Sequence, residues 1–213
     1  MDSPALVPYP TLKRVLDRAL AALLLVLLGP VIVLAAVLLS LDMLFVPRDR
    51  GGWLYRERRV SRGREFDLLK LRTLRADVVE RVRDRGDYAQ LHELDAGNLT
   101  RAGRLLKRFY LDELPQLWNV LRGDMSLVGP RPWPPTMVRE QEAEGLAYRK
   151  LVTAGWTGPA QVRKGVPGIR YADLDLAYVE ACRTWSAWRL VRFDLSILRQ
   201  TVRVLLRGEG LSY

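Results

Sequence analysis

The sequence predicts a mixed α/β fold that is mostly helical and has an N-terminal segment embedded in a membrane. Three observations support this prediction. Residues 19–39 carry no charge and form an apolar run long enough to enter a bilayer. Residues 53–72 contain two strand-like runs around a glycine turn. Near the C-terminus, apolar residues recur at three- and four-residue spacing, as they do in an amphipathic helix.

A helix breaker stands in the middle of the apolar run. Gly29 precedes Pro30, which removes one backbone hydrogen bond and crowds the preceding turn. Both flanks are basic, with Lys13, Arg14 and Arg18 before the run and Arg48, Arg50, Arg56, Arg58 and Arg59 after it. Under the positive-inside rule both ends therefore favour the cytoplasm. Two structures fit these residues: an ordinary kinked span, and a helix–break–helix that enters and leaves by the same face.

The segment after the apolar run predicts a β-hairpin. "WLYRERRV" and "FDLLKLRT" flank "SRGRE", in which Gly63 supplies turn geometry. A short amphipathic helix is predicted at residues 99–109, with Arg101, Arg104 and Arg108 along one side.

The C-terminal helix is predicted from one apolar face. That face contains Val191, Leu195, Leu198, Val202 and Leu205, and Arg192, Arg199 and Arg203 lie away from it. An interfacial helix needs this pattern, with its arginines turned toward lipid phosphates. A helix packed on a protein core fits equally well.

The amino-acid composition limits the kinds of domain, partner and metal site that the chain can have. The 213 residues suit one domain, or one domain with an appendage. The net charge of +10 predicts a polyanionic partner: nucleic acid, anionic lipid or a phosphorylated substrate. Arginine makes up 29 of the 34 basic residues and suits forked contacts to phosphate oxygens. Cys182 and His92 are each the only one of their kind, which excludes an internal disulfide and a Cys/His zinc cluster.

The candidate chemical site is a pair of adjacent acids, Asp112 and Glu113, before an apolar helix-like run. Capping explains such a pair, because carboxylates complement a helix N-terminus, and Pro115 and Gly123 complete ordinary start and stop signals. A catalytic role uses the same physics. A carboxylate at a helix N-terminus with cations nearby is expected to stay ionised, as a nucleophile requires, and offers hard oxygen ligands for Mg²⁺. The spacing of these residues does not distinguish a capping role from a catalytic one.

Longer motifs favour the catalytic role of the acid pair. The stretch "LTRAGRLLKRFYLDELPQLWNVLRGDMSLVGPRP" resembles the signature of the bacterial sugar transferases, which are monotopic polyprenyl-phosphate phosphoglycosyl transferases. "KRVLDRALAALLLVLLGPVIV" resembles their membrane anchor, "FDLLKLRTL" their K-x-R-T-M segment, and "GWTGPAQV" and "DLSILRQT" their later blocks. The chain is similar to the small members that consist of the catalytic domain alone.

The resemblance implies a reaction and roles for named residues. Asp112 is the expected nucleophile, which takes a phosphosugar from a nucleotide-diphosphate sugar, with uridine as the expected base. A nucleoside monophosphate is released, and the phosphosugar passes to a polyprenyl phosphate such as undecaprenyl phosphate. Asp112 is also the expected Mg²⁺ ligand, and Glu113 assists. The expected phosphate-binding residues are Lys70, Arg72, Arg108 and Arg131.

The family's anchor is a re-entrant helix, so the resemblance favours re-entry with a hinge at Gly29 and Pro30. It implies a membrane anchor at residues 1–47 and a catalytic domain at residues 48–213 that lies on the cytoplasmic face of the bacterial inner membrane, surrounded by interfacial helices. Gly29 stands where the family usually has serine, and Tyr110 also replaces a serine. The sequence leaves open which sugar is used and whether the chain forms a homo-oligomer.

Three other functions fit parts of the sequence. A nucleic-acid-binding protein would also be basic, but no helix-turn-helix, RNP or zinc pattern appears, so nucleic acid is not an expected partner. An inactive membrane scaffold would retain the fold, although the intact acid pair argues against it. A nucleotide-sugar glycosyltransferase that uses a lipid acceptor would release a diphosphate instead of a monophosphate.

Overall fold

The structure, a computed structural model, describes residues 5–86 and 88–207. The helices of this part are α1 (Thr11–Phe45), α2 (Ala76–Arg85), α3 (Ala89–His92), α4 (Arg101–Arg108), α5 (Gln116–Arg122), α6 (Pro135–Ala143), α7 (Tyr148–Leu151), α8 (Tyr171–Thr184) and α9 (Ala187–Arg207). The strands are β1 (Leu54–Ser61), β2 (Arg64–Leu71), β3 (Ser126–Val128) and β4 (Gly155–Thr157). The predicted mixed, mostly helical fold is confirmed. Residues 1–4 of the predicted anchor and residues 208–213 of the predicted domain lie outside the described residues.

Helix α1 is continuous through Pro30, and it is long and apolar enough to cross a membrane. The backbone is therefore helical on both sides of Gly29 and Pro30, and a hinge at these two residues stays a prediction. Proline costs the helix one hydrogen bond, whereas an unwound backbone in an apolar environment would leave several polar groups unpaired. A Cβ added at Gly29 would meet nothing within 4 Å, so packing does not require glycine there. Re-entry itself stays a prediction.

The chain divides into two compact units. Of the described residues, the first unit contains 5–22, 58–66 and 119–207; the second contains 23–57, 67–86 and 88–118. The division predicted from sequence separates anchor from domain by membrane location, and it stays a prediction.

The predicted hairpin is confirmed as β1 and β2. Its two-residue turn consists of Arg62 and Gly63, both with positive φ (50° and 72°). Positive φ at both central residues is the type I′ geometry that matches the twist of paired strands.

In the second unit, α4 is held from two sides. Ala102 and Leu106 are buried with Ala35, Leu39 and Leu71 in one apolar cluster. On another side, α4 approaches the backbone so closely that a Cβ at Gly103 would lie 2.2 Å from the Thr73 carbonyl oxygen. The Thr100 hydroxyl caps the helix by accepting a hydrogen bond from the Gly103 N–H at 2.8 Å. The helix predicted at residues 99–109 is thus confirmed as α4, and its orientation is set.

In the first unit, β3 and β4 form a parallel pair with Ser126 opposite Gly155. The strands approach so closely here that a Cβ at Gly155 would lie 2.1 Å from the Gly129 nitrogen. The C-terminal helix is confirmed as α9. Leu190, Val191 and Ile197 are buried, whereas Leu195, Val202 and Leu205 are exposed. One face of α9 therefore packs on the core, and an interfacial role for its exposed apolar residues stays a prediction.

A buried polar network runs through the first unit. Lys13 donates to Asp194 at 2.6 Å and to the Val128 carbonyl at 3.1 Å, and Tyr178 donates to the other oxygen of Asp194 at 2.9 Å. Asp17 accepts from Tyr9 and Ser126, both at 2.7 Å. Lys13, which the sequence suggested as a membrane-flanking cation, is therefore an internal structural charge.

Candidate active site

Asp112 and Glu113 lie in a 3-10 turn, Leu111–Glu113, between α4 and α5. The chain enters this turn through Tyr110, whose φ of 54° is left-handed. For a residue with a Cβ this conformation costs about 1 kcal/mol, so the surrounding packing must stabilise it. Both acids are buried, with 3% and 8% of their surface exposed. The two acids thus occupy a turn of their own just before α5, which begins at Gln116.

A second acid–base pair, Glu93 and Lys107, lies in the same unit. The buried Glu93 and the partly exposed Lys107 form an ion pair, and Thr73 donates to the other oxygen of Glu93 at 2.8 Å. Burial alone would raise the pKa of Glu93, but the charges of Lys70 and Lys107 and the hydrogen bonds from Lys107 and Thr73 together lower it. Glu93 is therefore a stable negative charge.

Glu93 also influences the acid pair electrostatically, because its charge raises the pKa of Asp112. Sequence reasoning missed this residue, since residues 75–96 carry no motif. Its contacts with Thr73 and Lys107 reach 20 and 14 residues along the chain, so only the tertiary structure reveals them.

The environment of Asp112 corrects one sequence-based expectation. We expected nearby cations to keep this carboxyl group ionised. Instead, burial and then the charge of Glu113 raise the pKa of Asp112 to about 7, and Lys70 and Lys107 only partly oppose this shift. Loss of hydration therefore outweighs the attraction of the cations. The environment of Asp112 thus favours its protonated form more than that of an exposed carboxyl group would.

The site has an open oxygen for a ligand. Oδ1 of Asp112 is buried and has no hydrogen-bond partner among the described residues. A carboxylate oxygen of this kind fits Mg²⁺, which typically binds one or two carboxylates together with substrate phosphates. Within residues 5–86 and 88–207, no cluster of three or more acidic, histidine or cysteine side chains could hold a metal ion by itself. Magnesium at Asp112 stays a prediction, as does the assisting role of Glu113.

Gln116 is a further polar side chain that sequence reasoning did not single out. It is 2% exposed, and its Nε2 has no hydrogen-bond partner among the described residues. It stands four residues after Asp112 at the start of α5. A buried donor or acceptor without a hydrogen-bond partner destabilises the fold. Nε2 of Gln116 is such a donor and Oδ1 of Asp112 is such an acceptor. Two of these atoms within five residues are typical of a ligand site.

Three of the expected phosphate-binding residues lie in the same unit as the acid pair, in different environments. Lys70 is buried and acts electrostatically on both Asp112 and Glu93. Arg72 is also buried, but its guanidinium donates to the backbone carbonyls of Asp49, Gly52 and Leu74.

Three of the five N–H donors of Arg72 are thus bound to the loop before β1 and to Leu74, and phosphate binding by Arg72 stays a prediction. Arg108 is exposed, and its guanidinium lies 5.7 Å from the centre of the Phe109 ring. Of the three, Lys70 is the one that the structure connects to Asp112.

Arg131 belongs to the first unit, in the proline-rich loop after β3. Its carbonyl accepts a hydrogen bond from Arg149 at 2.8 Å, and the Arg149 guanidinium stacks 4.0 Å from the centre of the Trp133 ring. Arg149 is itself paired with the fully buried Asp175 at 2.6 Å. The loop that carries Arg131 is therefore fixed by a buried ion pair, which the proline pattern alone did not reveal.

Comparison with known proteins identifies the family. The chain matches the profile of the bacterial sugar transferases over residues 8–208. It belongs to that family. The resemblance inferred from the motifs is thereby confirmed.

Three relatives match this chain over more than nine tenths of its length. A UDP-glucose:undecaprenyl-phosphate glucose-1-phosphate transferase of Caulobacter vibrioides is 40% identical, with 93% of this chain aligned to 71% of the relative. A UDP-galactose-lipid carrier transferase of Erwinia amylovora is 36% identical over 93% of this chain, but the chain spans only 41% of it. An uncharacterised sugar transferase of Bacillus subtilis, EpsL, is 34% identical over 94% of this chain and 90% of the relative. The chain thus spans most of two relatives and under half of the third.

Proposed function

We propose that this sugar transferase moves a sugar phosphate from a UDP-sugar to a polyprenyl phosphate, with Asp112 as the nucleophile. The buried, hydrogen-bond-free Oδ1 of Asp112 carries the proposal, because a nucleophile needs an oxygen that no protein donor occupies. The names of the Caulobacter vibrioides and Erwinia amylovora relatives support this substrate class.

The reaction balances in two displacements. A carboxylate oxygen of Asp112 attacks the sugar-bearing phosphorus, the phosphoanhydride bond breaks, and UMP leaves with the electron pair. A phosphate oxygen of the polyprenyl phosphate then attacks the same phosphorus, the aspartyl–phosphorus bond breaks, and the carboxylate is restored. Mg²⁺ held by Asp112, with Glu113 beside it, would neutralise phosphate charge.

The other charged residues have separate tasks in this mechanism. Lys70 and Lys107 act electrostatically on Asp112 and favour its ionised form. Glu93 keeps Lys107 in place through their ion pair. Arg131 is assigned to the phosphates of the substrate from the family resemblance.

Nucleotide release tests the proposal. The purified full chain is incubated with Mg²⁺, a polyprenyl phosphate and a panel of UDP-sugars, and UMP and UDP are measured separately. We expect UMP from one sugar, and a loss of at least about 10³-fold in Asp112→Asn. Asp77→Asn, which removes an exposed carboxylate on α2, is the matched control and should retain activity. UDP as the product would indicate a glycosyltransferase, and neither nucleotide from a broad panel would indicate an inactive scaffold.

The covalent step has its own measurement. Without polyprenyl phosphate, the enzyme should release one equivalent of UMP and gain the mass of one sugar phosphate on the peptide that contains Asp112. UMP release that begins only when the acceptor is added would instead support direct transfer.

We also propose that α1 is re-entrant and that both of its ends lie at the cytoplasmic face. Exposed arginines flank the apolar run on both sides, with Arg14 and Arg18 near the start of α1 and Arg48 and Arg50 after its end. Tags at residue 1 and at the C-terminus should both be cytoplasmic, and Pro30→Ala should move part of the N-terminal tags across the membrane. An N-terminal tag on the outer side of the wild-type protein would contradict re-entry.

A further inference from the structure

A cationic cleft lies at the C-terminal end of α1, in the second unit. Its volume is about 510 Å³. Residues 45–49, which follow the membrane helix, form one wall; Arg75, residues 97 and 99–101, and Arg104 form the rest. The acid pair and the two lysines that act on Asp112 are not among the lining residues.

The cleft has more positive charge than its walls can neutralise. Asp49, the one acidic side chain among the described lining residues, is already paired with Arg75 at 3.6 Å. The other arginines are Arg48, Arg101 and Arg104, all exposed. The side chains of these three arginines have no hydrogen bond or ion pair with another described residue, whereas Arg75 has both. The cleft therefore presents three guanidinium groups to a ligand.

An apolar surface adjoins these cations. Leu44 and Phe45, in the last turn of α1, are 63% and 75% exposed. On α4, Leu105 directly follows Arg104 and is 45% exposed. An apolar helix end beside arginines is the arrangement found at the boundary between acyl chains and lipid headgroups.

We propose that this cleft binds the phosphate headgroup of an anionic phospholipid at the membrane surface. Arginine suits the task because its planar fork donates two hydrogen bonds to phosphate oxygens. The end of α1 places the cleft at headgroup depth whether the helix re-enters or spans the bilayer. The proposal does not depend on the reaction at Asp112, and lipid binding can be measured without turnover.

Lipid titration of the full chain in a neutral detergent tests the proposal. The probes are dihexanoyl phosphatidylglycerol, dihexanoyl phosphatidylcholine and inorganic phosphate, each titrated while the thermal midpoint is recorded to obtain a dissociation constant. We expect phosphatidylglycerol to bind at least tenfold more tightly than phosphatidylcholine. Each arginine near an anionic headgroup contributes about a fivefold gain in binding, so R101Q/R104Q should weaken phosphatidylglycerol binding by about 25-fold.

The control variant is R83Q/R85Q, which removes the same charge from exposed positions on α2. We expect its affinity for phosphatidylglycerol to stay within about twofold of wild type. Equal weakening in both variants would mean that a diffuse field binds the lipid, and would overturn the site. Inorganic phosphate that binds more tightly than the lipid would overturn the lipid assignment. So would a selective loss of polyprenyl-phosphate turnover in R101Q/R104Q in neutral detergent, because the cleft would then belong to the acceptor.

Discussion

Two clusters of buried charge in this protein differ in how completely their hydrogen bonds are satisfied. In the first unit, both oxygens of Asp194 accept hydrogen bonds, one from Lys13 and the other from Tyr178. In the second unit, Oδ1 of Asp112 has no hydrogen-bond partner among the described residues. Burial raises the pKa of both acids, yet only Asp112 has an oxygen available for a ligand.

The difference separates a structural charge from a chemical one. A network such as that of Lys13 and Asp194 stabilises a single packing, because every group has a partner that it would lose on rearrangement. The cluster around Asp112 contains Glu113 and Glu93, and their charges add to the cost of ionising it. A cationic ligand would reduce that cost, because a positive charge close to Asp112 favours its ionised form, and this is a reason for a protein to retain the cluster.

The largest effect is expected from a substitution in the hydrogen-bonded cluster around Lys13 and Asp194. Lys13→Met leaves Asp194 buried without its cation, and removing one partner of a buried pair typically costs about 3–5 kcal/mol. Since 1 kcal/mol shifts the midpoint by about 2–4 °C at this chain length, we expect thermal unfolding at least about 6 °C lower.

The matched control is the double variant Lys13→Met with Asp194→Leu, which removes both charges. It should recover most of the loss, because a well-packed apolar pair can replace a buried ion pair at little cost. A single variant as stable as wild type would show that the network contributes little.

The second prediction concerns the cluster around Asp112, where a substitution is expected to raise the thermal midpoint instead of lowering it. The pKa of Asp112 rises from 3.8 to about 7 on folding, so the folded protein binds the proton more tightly than the unfolded chain. Stability from this group is complete below about pH 4, falls as pH rises, and is lost above about pH 7. Asp112→Asn removes that loss and should raise the thermal midpoint at pH 8 by several degrees, in metal-free buffer with a chelator.

The pH dependence is the control for this prediction. At one pKa unit per about 1.4 kcal/mol, the gain at pH 8 is at most about 4 kcal/mol, and it should shrink toward zero near pH 4. A variant that is less stable than wild type at pH 8 would mean that ionised Asp112 is stabilised in the fold.

Local patterns in the sequence predicted the elements that local physics determines. Gly63 marked the hairpin turn, and the arginine spacing marked α4, because turn geometry and helical periodicity act over a few neighbouring residues. The adjacent acids were identified as the candidate site from the motif around Asp112.

Features that depend on tertiary contact were not predictable in this way. Strands β3 and β4 are three residues each and pair through glycines, so neither shows a strand pattern. The raised pKa of Asp112 follows mainly from its burial, which cannot be read from the spacing of residues in the sequence. The continuity of α1 through Pro30 reflects how little one lost hydrogen bond weighs against unwinding a helix in an apolar environment.

The smallest expected effect comes from a substitution at Glu93, which tests how strongly the charge of this residue acts on Asp112. Glu93 raises the pKa of Asp112, so Glu93→Gln should lower it while retaining an oxygen that can accept from Thr73. The stabilising effect of Asp112→Asn sets in near the unfolded pKa of 3.8 and stops growing at the folded pKa of Asp112. The shift can therefore be measured as the pH at which this effect levels off, compared in the wild-type and Glu93→Gln backgrounds. We expect this pH to fall by up to about one unit, since one partly screened charge contributes on the order of 1 kcal/mol. An unchanged pH would show that Glu93 holds Lys107 in place without acting on Asp112, and a rise would show that the freed lysine has moved away from the acid pair.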